Sequence, residues 1–432
     1  MFPVLLSLTA EPLTGLVDTA FVAQLGTVAL AGLGVATTAL SALFWIFNFL
    51  NVGTQTQISQ AVGAGDETGI RQIASLALCV GWALGALVIA LAYPFAGALS
   101  EMLGGTGAVR EAAVTYIRVR ALGAPAIFTM LVGFGVLRGA QDMQTPSVVA
   151  VAINVFNIVL DYPLIFGLGI IPALGVGGAA LASTISQYIG AVWLLVIVWR
   201  RFGLAVPNNW DDASELFAIG GNLFMRTGLL TIFLLIATRV ANQIGTEAGA
   251  AHQVLRQVYV FTALALDAFA VSTQSLVGYF MGGRDVVQAR RAGTISIGWS
   301  LVTGVLLGGV MWLLTDVIIG LMVPPEAVAL FVPAWVISAL AQPVNALAFS
   351  TDGVHMGTSD YAYLRNAMLA ATLIGGAALL VLPVDIPGAF TWLWVINAAW
   401  VVIRAGFGMW RVYGSGRGAP LSPASLRQAA LL

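Results

Sequence analysis

Apolar stretches long enough to cross a lipid bilayer recur along almost the whole of this 432-residue chain, and the polar breaks between them are too short to fold on their own. A helix needs about 20 largely apolar residues to span the hydrocarbon layer. By that measure the chain divides into segments 2–25, 29–62, 73–99, 114–137, 148–166 and 179–199, followed by a polar interval over 200–215. A second series follows over 216–237, 248–280, 295–314, 327–350, 367–382 and 392–409. The sequence therefore predicts an all-α integral membrane protein of twelve transmembrane helices in two six-helix bundles. The domains read as an N-terminal lobe over 1–199, a cytoplasmic linker over 200–215, a C-terminal lobe over 216–412 and a short cytoplasmic tail over 413–432.

Composition supports lipid as the solvent. Hydrophobic residues make up 59% of the chain and charged ones 9%, too few to cover a soluble surface. The formal net charge of -1 provides no basic field for nucleic acid. The single cysteine, Cys79, cannot form an intramolecular disulfide, and two isolated histidines, His252 and His355, leave little scope for zinc or haem chemistry. The first apolar stretch lacks a basic flank and a small-residue cleavage site, so it reads as a retained span rather than a signal peptide.

Arginine placement predicts the orientation. With the N-terminus in the cytoplasm, Arg71, Arg138, Arg200, Arg201, Arg284, Arg290, Arg291, Arg365, Arg411, Arg417 and Arg427 all fall on the cytoplasmic side, while the opposite loops keep chiefly Arg110 and Arg239. That bias places both termini inside.

The chain also repeats itself. Displaced by 219 residues, Gln24-Leu25-Gly26-Thr27 falls on Gln243-Ile244-Gly245-Thr246, Thr54-Gln55 on Thr273-Gln274, Asp66 on Asp285 and Arg71 on Arg290. Displaced by 218, Pro125 falls on Pro343, Gly135 on Gly353, Gly139 on Gly357 and Asp142 on Asp360. Each repeat holds an even number of spans, so both halves enter the membrane in the same direction, related by a pseudo-two-fold axis along the membrane normal. Transporters of this kind bind substrate between the repeats.

Five acids lie at membrane depth: Glu11, Asp18, Asp161, Asp267 and Asp352. A carboxylate there costs about 2.5–3.5 kcal/mol on insertion scales, so it normally faces a cavity or a partner. Glu11 and Asp18 are seven residues apart, on one helical face, and Pro12 between them removes a backbone donor, making it a candidate hinge. On the fifth span Asn154, Asn157 and Asp161 share one stripe, and their oxygens could coordinate Na+ or hold an Asp that carries a proton. The competing reading is that these groups only bond neighbouring helices. Arg226, Arg239 and Arg256 either pair with acids or lie near helix ends, with an anion-binding role as the alternative. Gln55, Arg256, Asp267 and Asp352, with Glu11, are the candidates for lining a substrate cavity. Neither histidine has a nucleophile at helical spacing, so an enzyme is not expected. No phosphate-cradling Gly-rich motif is present, so no nucleotide is expected to drive the protein. Energy must come from an ion gradient or from the substrate's own.

Several motifs together resemble a known family. Glu11-Pro12-Leu13-Thr14-Gly15-Leu16-Val17-Asp18-Thr19-Ala20-Phe21 with Gln24-Leu25-Gly26 is similar to the first-helix signature of the multidrug and toxic compound extrusion (MATE) transporters, in the DinF branch. Gly63-Ala64-Gly65-Asp66, Leu137-Arg138-Gly139-Ala140-Gln141-Asp142, Asn157-Ile158-Val159-Leu160-Asp161 and Gly175-Val176-Gly177-Gly178-Ala179-Ala180 extend the resemblance through the first half. Asp352-Gly353 with Gly357 and Leu364-Arg365-Asn366-Ala367-Met368 carry it through the second. The resemblance implies an antiporter in the cell membrane that exports small organic compounds against inward H+ or Na+, with no other cofactor and with a monomer sufficient for function. It implies Asp18 and Asp161 as coupling carboxylates supported by Asn157, with a hydroxyl of Ser183 or Thr184 nearby and Na+ as a possible ligand of Asp18, Asn157 and Asp161. Two departures stand out: Ala23 takes the place of the usual Gly before the Gln-Leu-Gly turn, and the Glu11-Pro12 pair is more similar to a sub-branch that includes exporters of organic acids such as citrate. A lipid-linked oligosaccharide flippase is a further alternative, for which a more cationic cavity would be expected.

Overall fold

The computed structural model describes residues 2–207, 211–414 and 419–421, and these are almost wholly helical. In the first half the helices are α1 (Phe2–Ala23), α2 (Thr27–Ile46), α3 (Phe49–Ala64), α4 (Glu67–Ala92), α5 (Ala96–Met102), α6 (Gly107–Leu122), α7 (Ala124–Gly139), α8 (Gln144–Phe166) and α9 (Val176–Phe202). In the second half they are α10 (Asp211–Ile244), α11 (Thr246–Gly282), α12 (Val286–Leu313), α13 (Thr315–Met322), α14 (Val328–Leu340, entered by a 3-10 turn), α15 (Gln342–Gly357), α16 (Tyr361–Leu380) and α17 (Ala389–Tyr413). The chain forms two compact units, Met1–Gly220 and Gly221–Leu432, divided inside α10, which already begins within the interval read as a linker. Arg417 and Arg427, and most of the tail, lie outside the described residues.

Among the described residues, nine helices are long and apolar enough to cross a membrane, and two bent pairs raise that to eleven. The twelfth segment is α2 with α3, which the sequence reads as one span and which is interrupted at Phe47 and Asn48. Its counterpart α11 runs unbroken for 37 residues, about 55 Å at the usual helical rise, well beyond the hydrocarbon thickness.

The repeat seen in the sequence reappears in element boundaries. α5 and α13 start 219 residues apart, and α7 and α15 match end to end at a displacement of 218. The fourth span bends by 50° between α6 and α7, and its counterpart bends by 46° before α15. Both bends have one cause: Pro125 and Pro343 occupy the first turn of the helix after the bend, where a missing N–H is tolerated but continuation of the preceding helix is not.

The paired glycines are explained by what they touch. α7 packs on α3, and α15 on α11. A Cβ at Gly135 would stand 2.7 Å from the carbonyl oxygen of Asn51, and one at Gly139 would stand 2.7 Å from that of Gln55. In the second unit a Cβ at Gly353 would collide with the Ala270 carbonyl, and one at Gly357 would stand 2.7 Å from the carbonyl oxygen of Gln274. Gly85 and Gly304 likewise admit the backbones of Pro125 and Pro343. These are small-xxx-small crossings, in which absent side chains allow backbones to come into van der Waals contact.

Four turns also correspond. After the second and fourth spans of each unit one residue takes a left-handed conformation: Gly65, Gln141, Arg284 and Ser359, with φ of 70°, 65°, 58° and 59°. In each, the next residue is an aspartate whose N–H closes the helix end by donating back to Ala61, Leu137, Phe280 or His355. Asp66 and Asp285 then cap the following helices by accepting from Gly69 and Gln288. Asp142 likewise accepts from the Gln144 and Thr145 N–H groups, and Asp142 and Asp360 also accept from Arg201 and Arg411, each at 2.7 Å, fastening the last helix of each unit to its turn.

Two predictions follow from these contacts. Gly139→Ala and Gly357→Ala should each cost about 1–3 kcal/mol in unfolding of the detergent-solubilised protein, since the new methyl must push a backbone carbonyl aside. Gly309→Ala, where a Cβ would meet nothing within 4 Å, should cost nothing. The second concerns Asp142. Burial alone would raise its carboxyl, but hydrogen bonds from the Thr145 N–H and hydroxyl and from Arg201 outweigh that and hold it below the usual carboxylate range. A carboxyl depressed in the folded state contributes stability at neutral pH and loses it as acid protonates it. Asp142→Ala should therefore cost about 1 kcal/mol at pH 7, a penalty that shrinks on acidification below the ordinary carboxylate range.

Candidate functional site

The first unit gathers its buried acids where α1, α8, α9 and α6 meet. On the second half of α1 the buried positions are Thr14, Asp18 and Val22, spaced by four, while Leu13 and Leu16 face outward. That spacing is one helical stripe, and it lies on α8. α8 presents Ile153, Asn157, Asp161 and Ile165 at the same interval, so its polar pair is flanked by apolar residues on the packed face. Asp161 is fully buried and Asp18 nearly so.

Asn157 links the elements. In the orientation that satisfies its neighbours, its amide nitrogen donates to Asp18 Oδ1 at 3.2 Å and its oxygen accepts from the Ser183 N–H of α9 at 3.1 Å. The carboxyl groups of Asp18 and Asp161 face one another, and neither oxygen of Asp161 receives a hydrogen bond of ordinary geometry from a described residue. α6 closes the cluster: Tyr116 is buried with its hydroxyl beside Ser183, and the positive charge of Arg120 acts on both Tyr116 and Asp18. Arg120 is itself held by Gln187 of α9, to which Nη1 donates at 2.6 Å.

The structure thus brings together Asp18, Asn157, Asp161 and Ser183 of the residues singled out in the sequence. Thr184 lies beside them but donates to the Val119 carbonyl, tying α9 to α6. Asn154 donates to the Ala150 carbonyl of its own helix. Gln55 is buried in α3 at the crossing with α7. Arg256 is exposed on α11 and Asp267 is half-buried there. Asp352 is buried in the second unit, paired with Arg226 and Arg404. α1 continues as helix through Pro12, and the side chain of Glu11 lies outside the described residues.

Tyr116, Arg120 and Arg404 escaped the sequence reading. The signal was present for the two arginines: both fall inside apolar segments, at 114–137 and 392–409, and a cation at membrane depth is as costly as an acid. Tyr116 carries no comparable mark.

Every group around the acid pair is an oxygen donor except the Arg120 guanidinium and the Asn157 amide nitrogen. Such a set suits a proton or a hard monovalent cation. Among the described residues no cluster of three or more His, Cys, Asp or Glu could hold a heavier metal.

Comparison with known proteins agrees with this architecture. The MatE family model matches residues 3–163 and 223–381, one match in each repeat. The chain is 32% identical to the protein named DETOXIFICATION 44, chloroplastic, of Arabidopsis thaliana, over 95% of this chain and 80% of that one. It is 30% identical to DNA damage-inducible protein F of Escherichia coli, over 88% and 84%, and 30% identical to a probable multidrug resistance protein NorM of Thermotoga maritima, over 72% and 68%. The fold matches a crystal structure of MATE in the bent conformation with a TM-score of 0.87, at 20% identity, over 99% of this chain and 95% of that one. An outward-facing multidrug resistance MATE family transporter of the MOP superfamily matches with a TM-score of 0.86. With both repeats matched by the family model, and relatives at 30% identity or more along most of their length, this chain belongs to the MatE family of multi-pass membrane transporters.

Proposed function

We propose that the protein is a secondary active antiporter that expels small organic compounds in exchange for H+ or Na+, coupled through Asp18 and Asp161. The observation that carries this reading is the facing pair of buried carboxyl groups, one of them without a hydrogen-bond donor of ordinary geometry among the described residues. Two like charges about 4 Å apart at an effective dielectric near 20 repel by roughly 4 kcal/mol. The pair therefore requires positive charge. Arg120 supplies one unit, and with both carboxylates ionised the cluster still carries one negative charge. A single monovalent cation neutralises it.

That charge count gives a coupling rule. When the cation leaves, the cluster regains a negative charge that a cationic or polarisable cargo can satisfy. When it returns, the cargo loses that partner. Export follows if the cation binds more tightly to the state that releases cargo outward, because only differential affinity shifts a conformational equilibrium. Alternating access by movement of one repeat against the other supplies the two states. The NorM relative and one matched structure are named for multidrug resistance, which supports a broad organic cargo. The arginine bias of the loops supports both termini in the cytoplasm, and insertion in the plasma membrane is part of the same proposal.

Two measurements test the proposal. In proteoliposomes with pH and Na+ gradients imposed separately, Asp18→Asn should lower gradient-driven export of a cationic dye by a factor of about ten or more, in the range usual for coupling free energies. Full gradient-driven export by that variant removes Asp18 from the mechanism. Arg120→Met should destabilise the solubilised protein by about 1–3 kcal/mol, since the half-buried cation that acts on the buried acid pair is lost. The double variant Arg120→Met with Asp161→Asn should recover most of that loss. Additive effects in the double variant would mean that the arginine does not balance the pair.

A further inference from the structure

The second unit holds a charge cluster that the acid pair does not use. Asp352 of α15 lies between two arginines: Arg226 of α10 donates to its Oδ2, and Arg404 of α17 donates to the same oxygen at 3.2 Å. One carboxylate thus faces two guanidiniums, leaving one positive charge in excess. Arg404 is 5% exposed and stacks over Trp400, with its guanidinium carbon 4.7 Å from the ring centre. Its Nη1 has no acceptor among the described residues, nor has Nε of Arg226. His355, just under one helical turn beyond Asp352, is 2% exposed; among the described residues neither ring nitrogen makes a hydrogen bond of ordinary geometry, though the ring stands against the Gly408 carbonyl on the same crevice wall. The nearest acid to it, Asp360 at 3.9 Å, is already engaged by Arg411.

Asp352, His355, Tyr363 and Arg404 border one crevice with room for about a single water-sized occupant. Tyr363 donates its hydroxyl to the Phe407 carbonyl and so is already satisfied. The groups left over are guanidinium N–H donors and one imidazole. Guanidinium offers donors only, so the matching occupant is an acceptor. The excess positive charge favours an anion over water, and a crevice of about 10 Å³ limits it to a monatomic one seated by small outward shifts of the lining side chains.

The cluster is also absent from the first unit. The repeat aligns Asp352 with Phe134 and Arg226 with Ser7, so the arginine pair is particular to the second half and not inherited from the duplicated scaffold.

We propose that this crevice in the second unit binds a small monovalent inorganic anion of the chloride class, held by Arg404 and His355, with Arg226 contributing charge and Asp352 holding both guanidiniums in place. The site is independent of Asp18 and Asp161. An anion here completes the compensation of buried arginines that a single carboxylate leaves unfinished. It also offers the C-terminal bundle a means of sensing anion concentration, since an occupant that binds only the folded unit stabilises it by mass action.

The test uses the full chain in detergent, transferred to gluconate buffer at constant ionic strength and titrated with sodium chloride while the 35Cl line width is recorded. Saturable broadening, reversed by bromide and accompanied by a rise in thermal midpoint, is expected for the wild type. His355→Gln should weaken chloride binding about tenfold, the usual scale for losing a hydrogen bond to a charged group, and Arg404→Gln should abolish the broadening. Asp18→Asn should leave chloride binding unchanged even where it abolishes transport, which separates this site from the coupling pair. Absence of saturable broadening in the wild type overturns the proposal without recourse to any variant. Broadening that persists in folded Arg404→Gln, or that acetate reverses and bromide does not, overturns it as well.

Discussion

Helices surrounded by hydrocarbon gain little by hiding apolar side chains from one another, because lipid is as apolar as leucine. What holds them is close packing, and in this chain the closest packing is backbone on backbone at glycine. Gly135 and Gly139 on α7 admit the carbonyls of α3, and Gly353 and Gly357 on α15 admit those of α11. The bends before α7 and α15 direct those glycine faces onto their partners, and the prolines that produce the bends are themselves packed against Gly85 and Gly304. A methyl group at any of these points would spread two helices whose backbones are in contact. The scaffold therefore depends on a few absent side chains, which explains why the repeat is most legible in the sequence at Pro, Gly and the turn aspartates and least legible in the leucines and valines between them.

Upon that shared scaffold the two units hold opposite kinds of charge. The repeat aligns Asp18 with Ala237, Asn157 with Gly375 and Asp161 with Leu379. In the second unit these positions are apolar and packed: Ala237 and Leu379 belong to the main core, and Gly375 makes room for the stacked rings of Phe233 and Trp400, 4.3 Å apart. Where one unit has an acid pair short of positive charge, the other has an aromatic stack and, further along, two guanidiniums on one carboxylate. Duplication supplied the helices, and divergence of a few side chains supplied the polarity.

Most of the fold could be read from the sequence because its determinants are local. A span shows itself by length and apolarity, a turn by Gly or Asp, a bend by Pro. The interruption at Phe47 and Asn48 could not be read in that way, since neither residue is a strong breaker and the aligned Leu266 and Asp267 lie within continuous helix. The candidate site divides along the same line. That Asp18 and Asp161 belong to polar faces followed from helical spacing, but that they face each other is a property of α1 lying on α8, with more than a hundred residues between them. Arg120 lies inside the 114–137 segment, so its charge at membrane depth was legible, but its pairing with an acid on another helix was not. In the structure it is half-buried and anchored by Gln187.

Placement of Arg120 bears on what the acid pair can hold. A guanidinium cannot lose its proton under working conditions, so the charge it contributes is fixed, whereas each carboxyl can be neutral or ionised. The cluster is therefore a fixed positive charge beside two variable negative ones, and its net charge takes only the values +1, 0 and -1 as protons are added or removed. The neutral state is the one least costly to bury, and it contains one bound proton or one bound monovalent cation. In the role we propose for it, such a site would register the arrival of one ion without a large rearrangement, since the change from -1 to 0 would itself alter what α1, lightly buried along its length, gains by staying packed on α8.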